Sequence, residues 1–188
     1  MKNNLIFIGM PASGKSSVGI VVAKRLGMRF LDTDLLIQEQ EGQALREIIA
    51  EKGRDGFLAI ENQVNRDLQV SKTVISPGGS VIYCQQAMKH FKEIGTVVYL
   101  NASYATIRKR IKSLTKRGVV LEEGQTFRAL YEERNKLFEQ YADITVYVDG
   151  NKMEQTIESV LRKVKRYWRY LRKREEKRRE KRKSLQKC

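Results

Sequence analysis

The segment Gly9-Met10-Pro11-Ala12-Ser13-Gly14-Lys15-Ser16 sets two glycines, a lysine and a hydroxyl at the spacing G-x-x-x-x-G-K-[ST]. That spacing suits the wrapping of a phosphate chain. Gly9 and Gly14 allow the backbone to turn its N–H groups inward and to approach the anion closely. Lys15 would set a cation on the β- and γ-phosphates, and Ser16 would offer a hydroxyl to Mg²⁺. A helix starting at Lys15 would aim its positive end at the same anion. Gly9, Ala12, Ser13, Gly14, Lys15, Ser16 and Ser17 are therefore the candidate ATP-binding residues of this segment, with ATP as co-substrate and Mg²⁺ as the implied cofactor.

A second constellation stands about twenty residues on. Asp32-Thr33-Asp34 offers two carboxylates. One could hold Mg²⁺ through water, and the other could orient a hydroxyl and accept its proton. The plainer alternative is that either aspartate caps the helix beginning near Leu35.

These residues need a scaffold that brings strand ends together. Short apolar runs at Leu5–Ile8, Arg29–Leu31, Thr73–Ile75, Thr96–Leu100 and Ile144–Val148 read as five strands, each bounded by turn residues. Helical patterns fill the gaps: Lys15–Leu26, Leu35–Gln40, Ala44–Lys52, Gly56–Leu68, Ala87–Phe91, Ala105–Ile111 and Thr126–Gln140. Strands alternating with helices predict an α/β fold, a parallel sheet with helices on both faces. Right-handed crossovers then gather ligand-binding residues at the C-terminal ends of the strands. Ser113–Gln125 is polar and without period, and reads as a mobile loop. Met153–Lys183 reads as one long helix, amphipathic at first and almost wholly charged from Arg169.

The formal charge is +15, but it is unevenly spread. Residues 162–188 hold 15 of the 37 Lys and Arg and 3 of the 22 Asp and Glu, a net of +12, which leaves +3 for the rest. The body is thus near neutral, and the basic character belongs to the tail. The tail reads as a solvated helix, as a contact for nucleic acid or an anionic surface, or as a subunit contact through Tyr167, Trp168 and Tyr170. Cys84 and Cys188 have neither CxxC spacing nor a histidine cluster beside them, so neither zinc nor a disulfide framework is expected. The lone histidine, His90, reads as a surface or helix-end residue. The apolar run before Gly9 is too short for a signal peptide, and no stretch is long enough to span a membrane. A cytoplasmic monomer is the expectation.

The segments GMPASGKSSVG and LDTD, the Pro77-Gly78-Gly79-Ser80 glycine pair and the stretch Leu130 to Asp143 together resemble shikimate kinase, over residues 4 to about 165. The resemblance implies a P-loop kinase three-layer fold, a five-stranded parallel sheet of order 2-3-1-4-5, and transfer of the ATP γ-phosphate to a ring hydroxyl. It divides the chain into a kinase domain, 1–165, with a lid at about 113–125, and a basic helical tail, 166–188. Lys15 and Ser16 would serve the phosphates and Mg²⁺, Asp32 would reach Mg²⁺ through water, and Asp34 would bind the accepting hydroxyl. Gly78 and Gly79 would offer backbone groups to the substrate. Arg110 would lie against adenine, Arg117 in the lid would reach the transferring phosphate, and Arg134 would bind the substrate carboxylate. Lys15, Asp34 and Arg117 would be the catalytic set. Taken by themselves, Arg110 and Arg134 lie in charged helical stretches, where a solvated face competes with a role in a site.

The sequence departs from the family in the acceptor half. Phe-Arg-x-x-Glu is here Phe57-Leu58-Ala59-Ile60-Glu61, so a substrate-clamping arginine is replaced by Leu58. Either another cation, such as Arg54 or Lys52, replaces the missing arginine, or the acceptor is another hydroxylated metabolite or a nucleoside monophosphate. A different class of function, a nucleotide-dependent module that binds nucleic acid through its tail, would need neither the Asp32/Asp34 pair nor the Arg117 lid.

Overall fold

The computed structural model describes residues 2–111 and 124–185. Five parallel strands, β1 (Asn4–Ile8), β2 (Arg29–Asp32), β3 (Thr73–Ser76), β4 (Gly95–Asn101) and β5 (Ile144–Tyr147), pair in the order β2-β3-β1-β4-β5. All pairings are parallel, with Leu5 opposite Val74 on one side of β1 and opposite Thr96 on the other. The order 2-3-1-4-5 follows the expectation.

β1 is central and every residue from Leu5 to Ile8 is 0% exposed, as a strand covered on both faces requires. Its first residue, Asn4, is also buried. The Asn4 side chain donates to Val70 O (2.9 Å) and Ile94 O (3.1 Å) and accepts from Thr73 N (3.0 Å). One amide thereby ties down the entries to β3 and β4, satisfying backbone groups that burial would otherwise strand.

α1 (Lys15–Leu26) begins after Gly14 and ends at Gly27, whose φ of 65° closes it in the left-handed region. The other helices are α2 (Thr33–Glu41), α3 (Leu45–Arg66), α4 (Gln85–Ile94), α5 (Tyr104–Arg110), α6 (Phe127–Tyr141) and α7 (Met153–Leu185), with a 3-10 turn at Val81–Tyr83. α1 packs against α7, and α3 against α4, so helices cover the sheet on both sides. The two helical stretches expected over 44–68 form one element, broken at Gly53 (φ 67°, ψ −176°), where a new helical run begins with Arg54. The loop expected at 113–125 falls largely outside the described residues.

α7 buries Ile157, Val160, Leu161 and Val164. One turn later Trp168 still faces the body, and its Nε1 donates to Thr96 Oγ1 at 3.0 Å. Trp168 is therefore tied to the body of the fold. Beyond it the helix is exposed and basic. Among the described residues no helix is long and apolar enough to cross a membrane.

Candidate active site

The segment after β1 forms a tight loop. Gly9 has φ 149°, and a Cβ there would stand 2.8 Å from the Leu100 carbonyl oxygen, so β4 leaves room only for glycine. Gly14 has φ 101°. Ala12 also takes a left-handed backbone, φ 64°, at a cost on the order of 1 kcal/mol for a residue with a side chain. Ser13 N closes a turn onto Met10 O (3.1 Å), while Ser13 Oγ is buried with no partner. The Lys15 ammonium folds over the loop, donating to Gly9 O (3.0 Å) and Met10 O (3.3 Å). Burial pushes its pKa down to about 8, against the pull of Asp34 and Asp32.

β2 and β3 end beside this loop. Asp32 has two jobs: its Oδ1 accepts from Asp34 N (3.1 Å), capping α2, and its Oδ2 accepts from Ser16 Oγ (2.7 Å). The cap and the site are not alternatives here, because the two oxygens divide the work. Ser76 Oγ lies 3.3 Å from Ser16 Oγ. These hydroxyls and the Asp32 carboxylate form a cluster of hard oxygen donors, the chemistry that suits a Mg²⁺ held by one or two protein groups and a phosphate.

Asp34 stands one helical residue further in. Its Oδ1 is buried and without a partner among the described residues, and burial, then the neighbouring Asp32 charge, pushes its pKa up to about 6. The cavity it shares with Lys15, Ser16 and Arg110 has a volume of about 400 Å³. Arg110 Nη1 reaches Ala12 O at 3.3 Å and so lies along the outside of the loop. Ser17 is exposed on the first turn of α1.

The loop after β3 closes the other wall. A Cβ on Gly79 would meet Pro11 Cδ at 2.8 Å, and one on Gly78 would meet Glu61 Oε1 at 2.5 Å and Asp34 Oδ1 at 2.8 Å. Arg134 is 4% exposed, so the solvated-face reading of this residue is wrong: α6 turns it inward. Its guanidinium lies over the Tyr83 ring, 5.4 Å from the centroid, and its Nε is buried without an acceptor among the described residues. Arg117 lies outside the described residues.

Glu61 is one residue beside the site that sequence reasoning left out of the candidate set. It is 0% exposed; Ser80 Oγ donates to its Oε2 at 2.6 Å, and its Oε1 has no partner among the described residues. Burial and the nearby Asp34 charge push its pKa up to about 8. A signal existed: Phe57, Glu61 and Asn65 follow at i, i+4, i+8 on α3, and all three are buried. Ser76 and Tyr83 were also missed, and neither carries a spacing that would single it out.

The substitution at Leu58 is structurally quiet, for the side chain packs against the main core. Of the two replacement cations considered, Lys52 is an exposed partner of Glu41 (2.6 Å), whereas the Arg54 guanidinium lies 5.2 Å from the Tyr83 ring centroid.

Comparison with known proteins bears on this site. A family model described as shikimate kinase matches residues 11–165. The shikimate kinase of Persephonella marina is 32% identical over 163 residues, spanning 86% of this chain and 99% of that protein. The shikimate kinase of Chlorobium chlorochromatii is 35% identical over 179 residues, spanning 89% of this chain and 94% of its own. Among solved structures, shikimate kinase from Acinetobacter baumannii in complex with shikimate superposes with a TM-score of 0.79 at 26% identity, covering 86% of this chain and 92% of the other.

Proposed function

Since the chain belongs to the shikimate kinase family and is an ATP-dependent phosphotransferase, we propose that it moves the γ-phosphoryl group of ATP onto a ring hydroxyl of shikimate. One observation carries this reading. Asp34 Oδ1, Glu61 Oε1 and Arg134 Nε are buried, polar and unpartnered among the described residues. Buried groups left without partners cost about 1–3 kcal/mol each. A polyhydroxylated, carboxylate-bearing ligand would satisfy all three.

The chemistry follows from the residues. The Gly9–Ser16 amides and Lys15 hold the phosphates and offset charge on the transferring group. Asp34 Oδ1 accepts the proton of the attacking hydroxyl as its oxygen bonds to the γ-phosphorus and the bond to the β–γ bridging oxygen breaks, leaving ADP. Arg134 pairs the acceptor's carboxylate, and Gly78 and Gly79 present backbone groups to its hydroxyls. Arg110, whose Nη1 donates to Ala12 O, would cover the nucleotide, and Arg117 would complete the site from the lid. Ser16 and Asp32 would hold Mg²⁺, which when bound neutralises charge on the β- and γ-phosphates. We take residues 1–165 as the catalytic unit and 166–188 as an appended basic helix.

The test is ADP release from Mg-ATP with and without shikimate. Strong stimulation by shikimate supports the reading. ATP binding without stimulation moves the acceptor to another hydroxylated metabolite or a nucleoside monophosphate.

For the tail, a groove of about 660 Å³ favours an anionic partner. Trp168 and Leu171 line it together with Lys72, Arg172, Arg174 and Arg178, cations that outnumber the single carboxylate, Glu175. Binding of nucleic acid or anionic vesicles through these cations would weaken steeply as salt rises.

A further inference from the structure

We propose that the basic end of α7, with the two grooves beside it, is a binding surface for single-stranded nucleic acid, separate from the phosphate loop. The proposal deepens the reading of the larger groove as a site for an anionic partner, and it does not depend on which acceptor the kinase uses. The cations of that groove come from three parts of the chain: Lys2 before β1, Lys72 before β3, and Arg172, Arg174 and Arg178 on α7. Folding brings them together, so they are more than neighbours in a charged run. Lys2 and Lys72 precede their strands, whereas the phosphate loop follows β1. At about 3.3 Å per residue, the five residues of β1 put roughly 16 Å between the two edges of the sheet.

A second groove, of about 450 Å³, runs between α7 and β5, with Arg166, Tyr167 and Tyr170 in its lining. Tyr170 is 53% exposed, and its ring centroid lies 6.4 Å from that of Tyr167. Arg174 joins the two grooves: it lines the larger one, and its guanidinium lies 5.6 Å from the Tyr170 centroid. An exposed aromatic face beside a cation gives a base something to stack on and its phosphate a counter-charge. A duplex hides its base faces, so this pairing favours a single strand.

The charge pattern of the helix disfavours a bilayer. A helix that lies on a membrane keeps cations on one face and apolar residues on the other. Residues 172–184 contain no apolar side chain. The exposed cations at 172–174 and 177–179 each sweep about 200° of the helix, and together they surround it. A flexible polyanion can follow such a surface, and a flat one cannot.

The test is fluorescence anisotropy on the full chain with a labelled oligouridylate of about 20 nucleotides, its duplex with oligoadenylate, and phosphatidylglycerol vesicles. The single strand should bind more tightly than the duplex and stay bound under saturating Mg-ATP. Tyr170→Ala should weaken single-strand binding roughly fivefold or more without changing its salt dependence, and Tyr170→Phe should bind as wild type does. Arg172→Gln with Arg178→Gln should lower the slope of log affinity against log salt by about 1.4, at about 0.7 for each phosphate released. Lys72→Gln should lower it by about half as much. Unchanged Mg-ATP binding in every variant would report an intact fold. Displacement by Mg-ATP would place the strand on the phosphate loop and overturn the proposal. Equal affinity for strand and duplex with an indifferent Tyr170→Ala overturns it as well, and an indifferent Lys72→Gln removes the groove from it. Binding to vesicles without binding to the oligonucleotide keeps the anionic partner and overturns the nucleic acid; binding to neither at about 0.05 M salt overturns both readings.

Discussion

Gly78 lies so close to Glu61 that a Cβ on the glycine would stand 2.5 Å from Glu61 Oε1. The same Cβ would stand 2.8 Å from Asp34 Oδ1. Both carboxyl oxygens are buried, so neither can swing into water to make room.

Gly78→Ala should therefore displace the accepting carboxylate while leaving the sheet intact. A misplacement of about 1 Å is worth roughly 10²-fold in rate. The expected result is a fall of that order in kcat/KM for the acceptor, with Tm lowered by only a few degrees. Activity within threefold of wild type would show that the acids are not held by this contact.

Asp34 must be ionised to accept a proton, and its pKa in the free protein is raised to about 6. The acceptor's kcat/KM should thus rise with pH through about 6. Lys15, lowered to about 8, supplies a falling limb at higher pH as its ammonium is lost. In kcat the alkaline limb should move upward, because bound phosphates favour the charged lysine. Asp34→Asn should lower kcat by about 10²- to 10⁴-fold and abolish the acid limb. A flat profile between pH 5 and 7 would contradict the proton-accepting role.

Glu61 makes a prediction about stability. Its folded pKa, about 8, lies above its ordinary value of 4.5, so the folded state holds the proton more tightly. That contribution is fully present below about pH 4.5 and is lost as pH rises through about 8. Stability falls across the window at up to about 1.4 kcal/mol per pH unit. Glu61→Gln mimics the protonated acid and should gain stability over wild type as pH rises from 5 to 8. Urea unfolding at several pH values reads the difference directly; parallel curves would rule out a buried neutral Glu61.

Trp168 anchors α7 to the body through its bond to Thr96. Trp168→Ala should cost about 2–4 kcal/mol through lost packing and the stranded hydroxyl. Removing 172–188 should leave kcat within twofold and Tm nearly unchanged. A large loss of kcat on truncation would bring the tail into the catalytic unit.

Much of the framework was written locally. Gly14 and Gly27 flank Lys15–Leu26, and the helix has those bounds. The apolar run Leu5–Ile8 became the central strand, extended by Asn4, whose polar side chain hid a structural role in the sheet. The phosphate loop was legible because its glycines, lysine and serine lie within eight consecutive residues, so that neighbouring residues alone set up its backbone geometry. The Asp32–Asp34 pair was legible as a pair, though the division of Asp32 between a cap and Ser16 was not.

The acceptor half depended on contacts between distant segments. Arg134 and Glu61 stand in charged helices; the spacing of Glu61 from Phe57 puts it on that residue's face of α3, but the local sequence does not say how completely either charge is buried. Only the packing of α3 and α6 against the 3-10 turn strips them of water, and that loss of water is what shifts Glu61 and leaves Arg134 Nε waiting for a partner. Arg54 meets Tyr83 from 29 positions away, behind a Gly53 break that looked like a gap between two helices. Periodicity and spacing record how a chain bonds and packs with its near neighbours; which charges end up buried together is decided when remote segments close on one another.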